Sequence, residues 1–169
     1  MADLYELKHR IASIKQTRQI TNAMYLLSTS RMRKATSQME QNRQFYRRVR
    51  SAMKDILRKT HDVDHPYLRR KDIESPDTYI VIAGDKGMAG SFNNDVLKFA
   101  AQRMQRDERL HLVTVGNKAQ NFFLSKADDY ELNIELEVNF PDMASKPSLS
   151  KARRLAYYVQ DFYDIGLMD

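Results

Sequence analysis

The sequence predicts an α/β protein in two parts: a long basic coiled-coil helix over residues 1–60, and a doubly wound, Rossmann-like α/β domain over residues 78–169. Three observations carry this reading. No glycine or proline occurs from Met1 to His65, so nothing there interrupts a helix. Apolar residues recur in that stretch at steps of three and four. Past residue 77 the period changes, and short β-branched runs alternate with amphipathic segments.

In the first part, Asp3 and Glu6 have the spacing of a capping box with Asp in place of Ser or Thr. Leu4, Leu7, Ile11 and Ile14 begin a heptad seam that runs on to Met32, Met39, Tyr46, Val49, Met53 and Ile56. Polar residues such as Arg18, Thr21, Ser28 and Asn42 interrupt it. A rod of about 57 residues would measure roughly 85 Å at 1.5 Å per residue. One small domain cannot cover such a stripe, so the rod needs a partner helix. An antiparallel hairpin is the alternative, but its turn would fall at residues 28–30 or 41–42, where no glycine or proline stands.

Pro66 and Pro76 mark residues 61–77 as a linker. His61 and His65, with Asp62 and Asp64 nearby, have a metal-like spacing but read as a solvated helix end. Residues 78–83 (TYIVIA) form an apolar run of the kind buried in parallel sheets. A glycine-containing loop follows over 84–91, then a helix over 92–106 entered through Asn93 or Asn94. Residues 110–115 (LHLVTV) are a second strand, ended by Gly116 and Asn117. A short helix carries Phe122 and Phe123, and Leu132, Ile134, Leu136 and Val138 alternate as a third strand near an edge. Ser148 or Ser150 opens a last helix that Gly166 stops. Another strand normally follows at that point of a doubly wound fold, so the domain is expected to be incomplete at its C-terminal end.

Composition removes several classes of function. With no cysteine among 169 residues there are no disulfides, thiolate metal sites or cysteine nucleophiles. No apolar run reaches the roughly 20 residues that span a bilayer, and the charged N-terminus has no signal-peptide core. The net charge of +6 is uneven: residues 1–60 hold 14 Lys/Arg against 4 Asp/Glu, and the remainder 14 against 18. A basic arm of this kind meets something negative: nucleic acid, an anionic membrane surface or an acidic protein loop.

The loop with Gly84, Gly87 and Gly90 sits between a strand and a helix, where phosphates bind in dinucleotide folds. Its pattern, G-x-x-G-x-x-G-S, matches neither the dinucleotide fingerprint nor the P-loop. These glycines also serve positive φ and close strand–helix packing without any ligand. His9, His61, His65 and His111 are scattered over different elements, and no serine stands in a nucleophile elbow. The carboxylate pairs Asp128/Asp129 and Glu135/Glu137 read as solvated surface. Three readings remain at this point: a non-catalytic shaft, a basic coiled-coil nucleic-acid binder with an α/β domain, and a small nucleotide-binding enzyme. The second is weakened because the basic clusters lie on the seam-bearing stretch itself, not beside it.

Residues 7–35, LKHRIASIKQTRQITNAMYLLSTSRMRKA, closely resemble the N-terminal helix of the γ subunit of F-type ATP synthases. Residues 84–93, GDKGMAGSFN, resemble that family's loop after its first strand, with Ala89 where many members carry cysteine. The resemblance implies a central-stalk subunit with no catalytic residue, cofactor or metal of its own. It would turn inside a ring of α and β subunits, and rest with ε on a membrane ring of c subunits. It would sit at the cytoplasmic face of the cell membrane as a peripheral subunit, and nucleic acid is not an expected partner. By resemblance, Met24, Arg31, Arg33 and Lys34 face an acidic loop of the β subunit, and Gly84, Gly87 and Gly90 form a structural turn. The family's own C-terminal helix winds against the N-terminal one. Residues 1–169 do not include it, so the seam is left to that helix or to self-association.

Overall fold

Residues 2–60, 65–68 and 76–168 are described by the computed structural model, and they divide into two units, 1–68 and 69–169. The first unit is dominated by one unbroken helix, α1, over Ala2–Lys59. Its 58 residues correspond to about 87 Å of axial length. The hairpin alternative is therefore set aside. The helix begins one residue before the expected Asp3 cap, and the Asp3 side chain lies outside the described residues. Arg58 and Lys59 in the last turn complement the helix dipole.

Of the polar residues that interrupt the seam, Thr21 is satisfied inside the helix, as are Thr17 and Thr29 off the seam. Thr17, Thr21 and Thr29 each donate their hydroxyl to the carbonyl four residues back, at 3.0, 2.9 and 2.8 Å. The apolar seam itself stays in solvent, with Ile14 63% and Met32 65% exposed. Each such side chain forgoes roughly 1.5–3 kcal/mol of burial. A short 3₁₀ turn over Pro66–Leu68 follows, while His61, Asp62 and Asp64 lie outside the described residues.

The second unit is a parallel three-stranded sheet: β1 Asp77–Ile82, β2 Leu110–Val115 and β3 Ile134–Phe140, in the order β1-β2-β3. Helices α2 (Phe92–Met104) and α3 (Asn117–Lys126) make the two crossovers, and α4 (Leu149–Asp164) follows β3. Two cores result, one on each face. Val81, Leu97, Ala101, Met104, Leu112 and Phe123 fill the side carrying α2 and α3. Val113, Val115, Phe140 and Met143 meet Leu155, Tyr158 and Phe162 of α4 on the other. Helices on both faces define the doubly wound α/β class.

The run read as the kind buried in parallel sheets forms an edge strand among the described residues. Among the described residues β1 pairs only with β2, and Ile80 and Ile82 are 43% and 56% exposed. Every residue of β2 is buried, including His111 and Thr114, because it lies between the other two. The β2–β3 register slips between Leu110 and His111, leaving Glu135 as the extra residue of a bulge.

Helix ends also differ from expectation in one place. Ser91 is the N-cap residue of α2, without a side-chain cap bond, while the Asn93 carboxamide instead accepts from the Gly84 N–H at 2.8 Å. Ser148 caps α4 by accepting from the Lys151 N–H. At its other end Gly166 takes φ +78, with the Gly166 and Leu167 N–H groups returned to Tyr163 and Phe162. Those two bonds form a Schellman stop.

Candidate functional site

Two surfaces were singled out by the sequence, one on each unit. On α1, Met24, Arg31, Arg33 and Lys34 are all exposed. Among the described residues the three cations make no ion pair, whereas Arg43 further along pairs with Glu40 at 3.7 Å. At about 100° per residue, Met24 and Arg31 lie about 20° apart on one line of the helix. Lys34 flanks that line, but Arg33 points roughly 160° away from Arg31. The four residues therefore form a narrow row plus one opposed cation, and not a single patch.

On the α/β unit the loop after β1 is built on three glycines with three different environments. Gly84 packs so closely on Asn93 that a β-carbon would stand 3.2 Å from its Oδ1. Gly90 takes φ +58 in open space. Gly87 has neither a close neighbour nor a positive φ; the left-handed residue beside it is Met88, at φ +62 and 92% exposed.

Asp85, which the sequence did not single out, is the centre of this region. Its Oδ1 accepts from the Asn117 N–H at 3.1 Å, at the first residue of α3. Its Oδ2 accepts from the Ser145 N–H at 2.5 Å, in the loop between β3 and α4. Burial alone would push the carboxyl pKa up. Bonds from the Ser145 hydroxyl and N–H, and from the Asn117 and Asp142 N–H groups, outweigh that and hold it below the ordinary carboxylate value. Gly116, just before α3, takes φ +95 against the backbone of Ala83. The separations in sequence, 32 and 60 residues, explain why no local pattern announced Asp85.

One member of each carboxylate pair considered from sequence has an ionic partner, while Glu137, read as solvated surface, is half-buried with its Oε1 buried and without a hydrogen-bond partner among the described residues. Glu135 reaches Arg109 at 3.5 Å and His111 Nε2 at 3.7 Å, while Asp129 holds Lys126 at 2.6 Å. Glu137 lies on β3, one residue past Leu136, which is aligned with His111. Among the described residues no group of three or more His, Asp or Glu has a metal-binding arrangement, and no helix is long and apolar enough to cross a membrane.

The class is therefore an α/β protein with an uninterrupted, solvent-exposed helix followed in the chain by a doubly wound domain. Comparison with known proteins gives the particular family. The family model described as ATP synthase matches residues 3–169. The ATP synthase gamma chain of Acetivibrio thermocellus is 34% identical over 171 residues, covering 100% of this chain and 56% of its own length. The gamma chain of Caldanaerobacter subterraneus subsp. tengcongensis is 34% identical, covering 95% of this chain and 53% of that protein. That of Alkaliphilus metalliredigens is 30% identical, covering 98% and 55%. The chain belongs to the ATP synthase gamma chain family, and it spans about half the length of the relatives it matches.

Proposed function

We propose that the chain supplies the shaft helix and base domain of a rotary central stalk, coupling ion flow through a membrane ring to ATP synthesis or hydrolysis on other subunits. The observation that carries this reading is the 58-residue helix with its apolar seam in solvent. An 87 Å rod is of no use to a small domain alone, but it has the reach of an axle. Its partners on this reading are the α and β subunits around the helix, with ε and the c-ring at the base. The chain would then work at the cytoplasmic face of the membrane as a peripheral, non-catalytic subunit.

On this reading the row formed by Met24 and Arg31, with Lys34 beside it, meets the acidic loop of one β subunit at a time. Exposed ion pairs contribute little individually, so their role is contact and steering. The seam belongs against a second helix supplied by the second half of a gamma chain. The glycine loop is a structural turn.

The test is reconstitution. Purified α and β subunits of a related ATP synthase should bind the full chain when a peptide of the family's C-terminal helix is also supplied. That peptide should raise the chain's helicity by circular dichroism. Binding of neither the ring nor the peptide, with α1 folded, would sink the proposal.

A further inference from the structure

In doubly wound domains ligands bind outside the carboxyl ends of the strands, where N–H groups at a helix head receive a phosphate. Here one such helix head, that of α3, is occupied by a side chain of the chain itself. The Asp85 carboxylate lies at the head of α3 and accepts from Asn117, while its second oxygen accepts from Ser145 beyond β3. The loop after β1 thus holds the loops after β2 and β3 through one side chain.

We propose that Asp85 is an internal anion: it places its own charge at the head of α3, as a bound anion would, and clasps the three strand-end loops into one unit.

Four further features are arranged around this clasp. The Lys118 N–H bonds the Gly84 carbonyl at 3.0 Å, so Asp85's own backbone neighbour is fixed to α3. A β-carbon on Gly116 would meet Ala83 and come within 3.3 Å of Asp85 Oδ1, so glycine there lets the loops close on the carboxylate. Asp142 takes φ +55, and its N–H is one of the groups bonded to Asp85. The Asn117 side chain bonds the Asp142 carboxylate at 3.3 Å, and the Lys151 ammonium takes the Asp142 carbonyl at 2.7 Å. The other charged residues on these segments are Lys86, Lys118 and Lys146.

The clasp makes a demand that ordinary packing does not. Amides 28 residues apart, those of Asn117 and Ser145, must respond together to one carboxylate. In the full chain, NMR should show both amide protons titrating with a single midpoint shared by the Asp85 carboxyl carbon. Asp85→Ala should then lower hydrogen-exchange protection at both amides by about tenfold or more, leaving Val113 in β2 unchanged. Should that variant fail to fold, Asp85→Asn keeps the size and offers one acceptor, so only one of the two amides should retain protection. Independent titration of the two amides would overturn the assignment, as would unchanged protection in either variant. Inorganic phosphate that raised protection at Asn117 in the unsubstituted chain would also overturn it, because the head of α3 would then be open. This inference does not depend on the chain acting in a rotary stalk.

Discussion

A β-carbon at Gly116 would overlap the carbonyl oxygen of Ala83. The Ala83 N–H is bonded to the Val115 carbonyl at 2.9 Å, so the two strand ends are drawn together directly beneath the glycine. At φ +95, Gly116 is also in a region that side chains rarely adopt. Gly116→Ala should therefore cost about 3 kcal/mol or more, since backbone strain and a backbone clash add. Gly87→Ala, with open space and no positive φ, should stay within about 0.5 kcal/mol. Urea denaturation followed by a near-ultraviolet tyrosine signal separates the two.

The opposed placement of Arg31 and Arg33 makes their effects separable. Arg31→Glu should weaken association with β subunits several-fold at low salt, and Arg33→Glu should act through a different subunit of the ring. The double variant should be additive, because the two side chains point about 160° apart on the helix. High salt should erase most of both effects. Equal loss from either variant at a single isolated β subunit would contradict the geometry.

The exposed seam predicts self-association of the chain on its own. Sedimentation velocity should show oligomers that grow with concentration. Replacing Leu7, Ile11 and Ile14 by serine should shift the distribution toward monomer and lower helicity. The C-terminal helix of a related gamma chain, added as a peptide, should compete with the oligomer.

One titration is specific to the α/β unit. Burial, with the Asp107 carboxylate that accepts the Tyr79 hydroxyl, pushes the Tyr79 pKa up to about 12 from 10.0. The folded state then holds a proton that the unfolded state releases between those values. Stability should be fully present below about pH 10 and fall as pH rises toward 12. Tyr79→Phe should remove that part of the alkaline slope, as read from melting temperature across the window.

Local chemistry made much of this fold legible. The residues of β2 were read correctly because LHLVTV is bounded by charge on one side and Gly116 on the other. The Ser148 cap and the Gly166 stop follow from rules that act over four or five residues. The place of β1 at the edge of the sheet was not legible, because TYIVIA is as apolar as a central strand and edge position depends on pairing elsewhere in the chain. Asn93 shows a similar limit: a residue read as a helix entry holds the Gly84 N–H nine positions back. Asp85 is the clearest case, since its role exists only when three loops converge.

The hydroxyls of Thr17, Thr21 and Thr29 are already spent on carbonyls of their own helix. Each turns its hydroxyl proton toward the helix backbone. A surrounding sleeve would thus meet, at these polar positions, groups that have no proton to give. Directional bonds between axle and sleeve would have to be broken at every step of rotation, and each would act as a detent. In the proposed rotary role, keeping these bonds internal would give α1 at these points a surface with few angular preferences, closer to a bearing than to a ratchet.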